Sequence, residues 1–140
     1  LILKATLKLE SGFEDLITKL AKKGRDVDGI VKKALKESAD ITQNEINNEA
    51  KRHNFTGLMS MTEINPTIEE VKNRAYRVKV GFDMDINEKG ALHAIFLNYG
   101  TPKRKVHGTV KGTKFFTKAI SRTKKDRQAI QERIIKELGN

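Results

Sequence analysis

The 140-residue chain has no cysteine, no tryptophan, only two prolines and no long apolar run. Without cysteine there is no disulfide framework and no thiolate chemistry, which fits a protein made in a reducing cytosol. No stretch approaches the roughly 18 to 20 consecutive apolar residues that a membrane span requires. A soluble protein with no membrane partner is therefore expected. The opening Leu1-Ile2-Leu3-Lys4-Ala5-Thr6-Leu7-Lys8-Leu9 has neither an apolar run of signal-peptide length nor a small-residue cleavage site, so a signal peptide is not expected.

Catalytic and metal-binding patterns are also missing. His53, His93 and His107 stand far apart with no His-x3-His or His-Glu-x-x-His spacing, and a zinc site needs several donors converging on one tetrahedron. Asp83-Met84-Asp85-Ile86-Asn87 alternates oxygen ligands as a calcium loop does. Glu88, however, stands where the sharp turn needs glycine, and Ala94 where a bidentate glutamate is required, so the segment reads as a solvated turn. No Gly-x-Ser-x-Gly elbow or other nucleophile signature accompanies the serines. Neither enzymatic activity nor a cofactor is expected.

What the chain does have is positive charge. Lys and Arg number 28 against 18 Asp and Glu, for a net charge of +10. Residues 1–60 hold 11 basic against 9 acidic side chains, residues 61–100 hold 5 against 6, and residues 101–140 hold 12 against 3. The excess therefore belongs to the last forty residues, a region suited to nucleic acid or an acidic protein surface. Hydrophobic content of 37% is low and charged content of 33% is high for a globular domain. The core is thin, or some apolar surface is completed by a partner. The length suits one domain, 1–140.

Periodicity predicts the elements. Leu3, Ala5, Leu7 and Leu9 alternate with Lys4, Thr6 and Lys8 as in a half-buried strand. Ser11 is placed as the N-cap of a short helix with Glu14 three residues on, a stripe of Leu16, Ile17 and Leu20, and an end near Lys22-Lys23-Gly24. Asp26 opens a long second helix whose face comprises Val27, Ile30, Val31, Ala34, Leu35, Ser38, Ile41, Thr42, Glu45, Ile46 and Ala50, reaching about His53. Gln43 to Arg52 carries only two apolar residues and is expected to emerge from the core as a lever or interface. An extended segment over Met59–Val71, bent at Pro66, turns at Lys72-Asn73-Arg74 into a strand of alternating Tyr76, Val78, Val80 and Phe82, giving a hairpin. A short helix over Ala91–Tyr99 precedes a long basic loop at 101–114. Phe115, Phe116, Ala119, Ile120, Ala129, Ile130, Ile134 and Leu138 then mark a terminal segment, helical for most of its length, with a charged middle from Arg122 to Arg127. The predicted fold class is α+β, a small antiparallel sheet packed against a long helix, with a C-terminal helix.

Two glycine-containing breaks close apolar segments: Phe55-Thr56-Gly57-Leu58, and Phe96-Leu97-Asn98-Tyr99-Gly100-Thr101. In that order, followed by the Gly- and Lys-rich loop and the Phe115-Phe116 to Ala119 segment, they give a chain that resembles a tailed-bacteriophage family of small head-to-tail neck proteins and tail components, of the lambdoid-phage type. The likeness extends over most of the chain and rests on the order and spacing of these steps. The family usually has an acidic residue at the position of Asn98 and proline at that of Lys114. The resemblance implies a virion structural protein, made in the bacterial host cytoplasm, that assembles as a homo-oligomeric ring between capsid portal and tail. Its partners would be adjacent head-completion and tail proteins, with DNA passing through the channel.

Within that expectation, Lys103, Arg104, Lys105, His107, Lys111 and Lys114 form an interaction cluster anchored by Phe115 and Phe116, while Gly57, Gly100 and Thr101 are structural, the two glycines at positive φ. The basic loop has few apolar residues to order itself and is expected to order only against a partner. A competing class is a nonspecific nucleic-acid-binding protein using the same basic region, since an electrostatic grip on phosphates needs no motif. No helix-turn-helix or aromatic-rich sheet accompanies the lysines, so sequence-specific readout is not indicated.

Overall fold

The period-2 stretch at the start becomes strand β1 (Ile2–Leu7), with Leu7 buried and Ala5 half-buried on one side and Lys4 and Thr6 exposed on the other. The computed structural model describes residues 2–52, 67–72, 75–83 and 114–139. β2 (Ile68–Lys72) and β3 (Ala75–Asp83) form the expected hairpin, and β3 lies in the middle of a three-stranded antiparallel sheet of order β1-β3-β2. The register sets Ala5 opposite Val80 and Leu7 opposite Val78. Tyr76, Val78, Val80 and Phe82 consequently share the inner face and are all buried. On the outer face Glu69 stands opposite Arg77, whose Nε lies 3.0 Å from the carboxylate. Arg77, then the nearby charges of Lys79 and Lys4, hold Glu69 below its ordinary pKa.

Helix α1 (Phe13–Lys22) begins one turn after β1. Ser11 does not cap it. Gly12 occupies the cap position at φ 94° and ψ −22°, with no side-chain hydrogen bond, and the Phe13 amide reaches back to the Glu10 carbonyl at 3.3 Å. A tight turn closed in this way needs a positive φ at its third residue, the place glycine takes in type II turns. The other end matches expectation. Gly24 at φ 76° donates to the Ala21 carbonyl and Arg25 to that of Leu20, the paired bonds of a glycine-terminated helix.

Helix α2 (Val27–Arg52) is opened by Asp26, whose Oδ1 accepts from the Gly29 amide at 3.3 Å. Val27, Ile30, Val31, Ala34, Leu35, Ser38, Thr42, Ile46 and Ala50 are buried as the spacing predicts. The far half does not emerge from the core. Ile46 and Ala50 are fully covered and Glu49 is buried with them, because helix α3 (Phe115–Arg122) packs there. Helix α4 (Lys124–Gly139) continues antiparallel to α2, as the pairings Ser38 with Gln131 and Thr42 with Thr123 require. The terminal segment is thus two helices broken at Thr123. Its buried face is Arg127, Gln131, Ile134, Ile135 and Gly139, whereas Ala129 is exposed and Leu138 is 44% exposed.

The inner sheet face, α2, α3 and α4 share one apolar cluster that reaches α1 through Ile17 and Leu20. A polar stitch joins the middle strand to the long helix: Gly81, at φ 125°, donates its amide to Gln43 Oε1 at 2.8 Å. The expected bend at Pro66 and the helix over 91–99 lie outside the described residues.

Asp26→Ala should lower the free energy of unfolding by about 1 kcal/mol, while Asp26→Ser should retain it, because only the second keeps an acceptor for the Gly29 amide. Urea denaturation of both variants checks this, and equal losses would show that the cap contributes nothing.

Candidate interaction surface

Helix α3 begins at Phe115 because two aromatic rings are drawn inward. Phe115 is fully buried and Phe116 is 5% exposed. The sequence leads one to expect both as anchors of an interaction cluster, and in the fold both rings are part of the buried core cluster. Lys114 sits at the cap position with φ 54° and ψ 34°, the one non-glycine positive φ among the described residues. Proline, locked near −65°, would not fit this backbone. Lys103, Arg104, Lys105, His107, Lys111, Gly57, Gly100 and Thr101 lie outside the described residues.

With the rings inside, α3 turns its polar side outward. Lys114, Thr117, Lys118, Ser121, Arg122, Lys124 and Lys125 are exposed, and no acidic residue occupies the first turn. Arg122 differs from the lysines. Its guanidinium reaches Glu49, whose side chain is 4% exposed, and Arg52 reaches the same oxygen from the last turn of α2. Arg52 also donates to Glu45 at 2.8 Å, and its hydrogen bonds to these carboxylates, Glu45 foremost, raise the Arg52 pKa further. A carboxylate withdrawn from water is tolerable only when paired, and two arginines from different helices supply the pairing.

Deeper in, a second polar group joins four segments. Arg127, 5% exposed, places Nη1 2.6 Å from Thr123 Oγ1 and 3.0 Å from both Thr42 Oγ1 and the Ile120 carbonyl, with Nε 3.3 Å from Glu10 Oε1. One turn on, Gln131 donates to Ser38 Oγ at 2.9 Å and accepts the Glu10 amide at 2.8 Å, while Ser38 donates to the Ala34 carbonyl. The end of β1, α2, the Thr123 break and α4 therefore meet on two side chains. In sequence, residues 122–127 read as a charged stretch, and this centre is missed. The signal for it is the spacing Arg127, Gln131, Ile135, which extends the α4 stripe backward at intervals of four, facing Ser38 and Thr42 on the α2 stripe.

Chemically, these two centres hold segments of the fold to one another. Among the described residues, no group of three His, Cys, Asp or Glu side chains is placed to hold a metal ion. Within those residues, too, no helix is long and apolar enough to cross a membrane. Comparison with protein-family models, curated proteins and solved structures found no match.

Arg127→Met should destabilise the fold by about 3 kcal/mol, because Glu10, Thr42 and the Ile120 carbonyl lose a buried cationic donor. Lys124→Met on the exposed side should stay within about 0.5 kcal/mol of the parent. Chemical denaturation of both variants distinguishes a buried centre from a solvated charge run.

Proposed function

We propose that this chain is a structural protein of a tailed-bacteriophage head-to-tail junction, acting by assembly into a ring. The resemblance set out above supports the reading through the order of its parts. The single observation that carries it furthest is that the described elements follow that order: an extended start, a short helix, a long helix, a strand pair, and a Phe-Phe step that opens the terminal helices. The reading also gives the charge a place, since the basic excess is gathered beside that Phe-Phe step and could meet the phosphates of passing DNA.

In this reading a subunit contacts its neighbour head-to-tail, with a rotation that closes the ring. The loop at 101–114 engages the next subunit, adjacent head-completion and tail proteins, or the passing DNA. The protein is made in the host cytoplasm and incorporated into the virion. A second reading, a nonspecific nucleic-acid-binding protein, is favoured by one observation. Residues 101–125 contain nine Lys and Arg and no Asp or Glu.

Native mass spectrometry at raised protein concentration, alone and with portal protein, should give a closed oligomer of defined stoichiometry, with ring particles in negative stain. A strict monomer in both conditions sinks the assembly reading. Replacing Lys103, Arg104, Lys105 and Lys111 with Ser should leave the melting temperature unchanged and lower the yield of infectious particles. Normal assembly of that variant across salt concentrations would reduce the loop to a solvated connection.

A further inference from the structure

We propose that the exposed shoulder formed by α3 and the start of α4 is a binding surface for double-stranded DNA, gripping phosphates through Lys114, Lys118, Lys124 and Lys125. The inference deepens the DNA contact of the proposed function and identifies the surface that makes it, yet it stands on the single chain whether or not rings form. The basic, acid-free stretch 101–125 ends on described structure, and in residues 114–125 every basic side chain is exposed. Arg122 is committed to Glu49. The four lysines have no ion-pair partner among the described residues.

The choice between DNA and an acidic protein follows from what lies between the lysines. Thr117 and Ser121 are the exposed spacers, and both rings of the segment are turned inward. A protein interface needs an apolar centre and is poor in lysine, whereas phosphate contacts are made by lysine and hydroxyl side chains and need no apolar centre. Lys114 and Lys118 lie one turn apart, about 6 Å along the helix, so successive cations track one side of α3. The exposed lysines of α2 lack this character. On α2 the exposed Lys32, Lys33 and Lys36 are interspersed with Asp28, Glu37 and Asp40. Flexible point charges without a base-reading element grip any sequence alike.

The test uses the full chain and a labelled mixed-sequence duplex, with affinity read by fluorescence anisotropy between about 50 and 200 mM salt. Replacing Lys114, Lys118, Lys124 and Lys125 with Gln should flatten the slope of log affinity against log salt by about 3 to 4, at roughly 0.9 for each phosphate no longer neutralised. Replacing Lys19, Lys32, Lys33 and Lys36 with Gln removes the same charge elsewhere and should leave the slope near its original value. Circular dichroism confirms folding. If the quadruple variant fails to fold, the pair Lys118→Gln and Lys125→Gln should flatten the slope by about 2. Equal flattening from both quadruple sets, or an unchanged slope in the shoulder variant, overturns the proposal. So does competition by polyglutamate as effective as by duplex, which would assign the surface to acidic protein. Native masses of the same variants report ring formation separately, so a failed oligomer and a failed grip on DNA are read independently.

Discussion

A guanidinium buried in an apolar core must be met by acceptors, and the architecture of this chain is organised around meeting one. Arg127 draws on Glu10 after β1, Thr42 in the middle of α2, and Thr123 and the Ile120 carbonyl at the junction of α3 and α4. None of these segments can shift alone without leaving a buried donor or carboxylate unpaired, a cost of several kcal/mol. The break at Thr123 belongs to the same requirement. The Thr123 hydroxyl bonds the Ala119 carbonyl at 2.8 Å and also faces Arg127, so the residue that ends α3 helps to hold α4 in place.

The second constraint is the division of positive charge between cations paired with carboxylates of the fold and cations that face solvent. Arg122 and Arg127 are turned toward Glu49 and Glu10, and those cations serve the fold. Lysines 114, 118, 124 and 125 share the same stretch and face solvent. Arginine suits the first task because its planar, weakly hydrated head makes several directed bonds, and lysine suits the second as a compact, strongly hydrated charge. Net charge alone would merge the two populations, although only the lysines have no carboxylate partner among the described residues.

The aromatic pair shows how packing and function separate. Phe115 and Phe116 stand immediately beside the basic stretch 101–114 in sequence, which is why they read as part of one interaction cluster. In the fold both belong to the same buried core cluster as Ile46 and Ala50. The polar far half of α2 is covered where α3 packs against it and Arg122 pairs with Glu49. The cationic surface on α3 is therefore carried by a rigid element, seated by the rings beneath it.

Sequence by itself determined the elements whose periodicity is local. The alternation in β1 and β3, the hairpin, the Asp26 start and apolar stripe of α2, and the glycine end of α1 all rest on repeats and caps that a few neighbouring residues specify. It also located the positive charge. Tertiary structure alone decided that Arg127 and Gln131 are interior. The α2 spacing already places Ser38 and Thr42 on the buried face, but the partners that satisfy them lie some eighty to ninety positions away, and no local pattern encodes a hydrogen bond across that separation. The Ser11 cap failed for a related reason, since the turn from β1 into α1 required the left-handed residue, and Gly12 rather than Ser11 takes that backbone without strain.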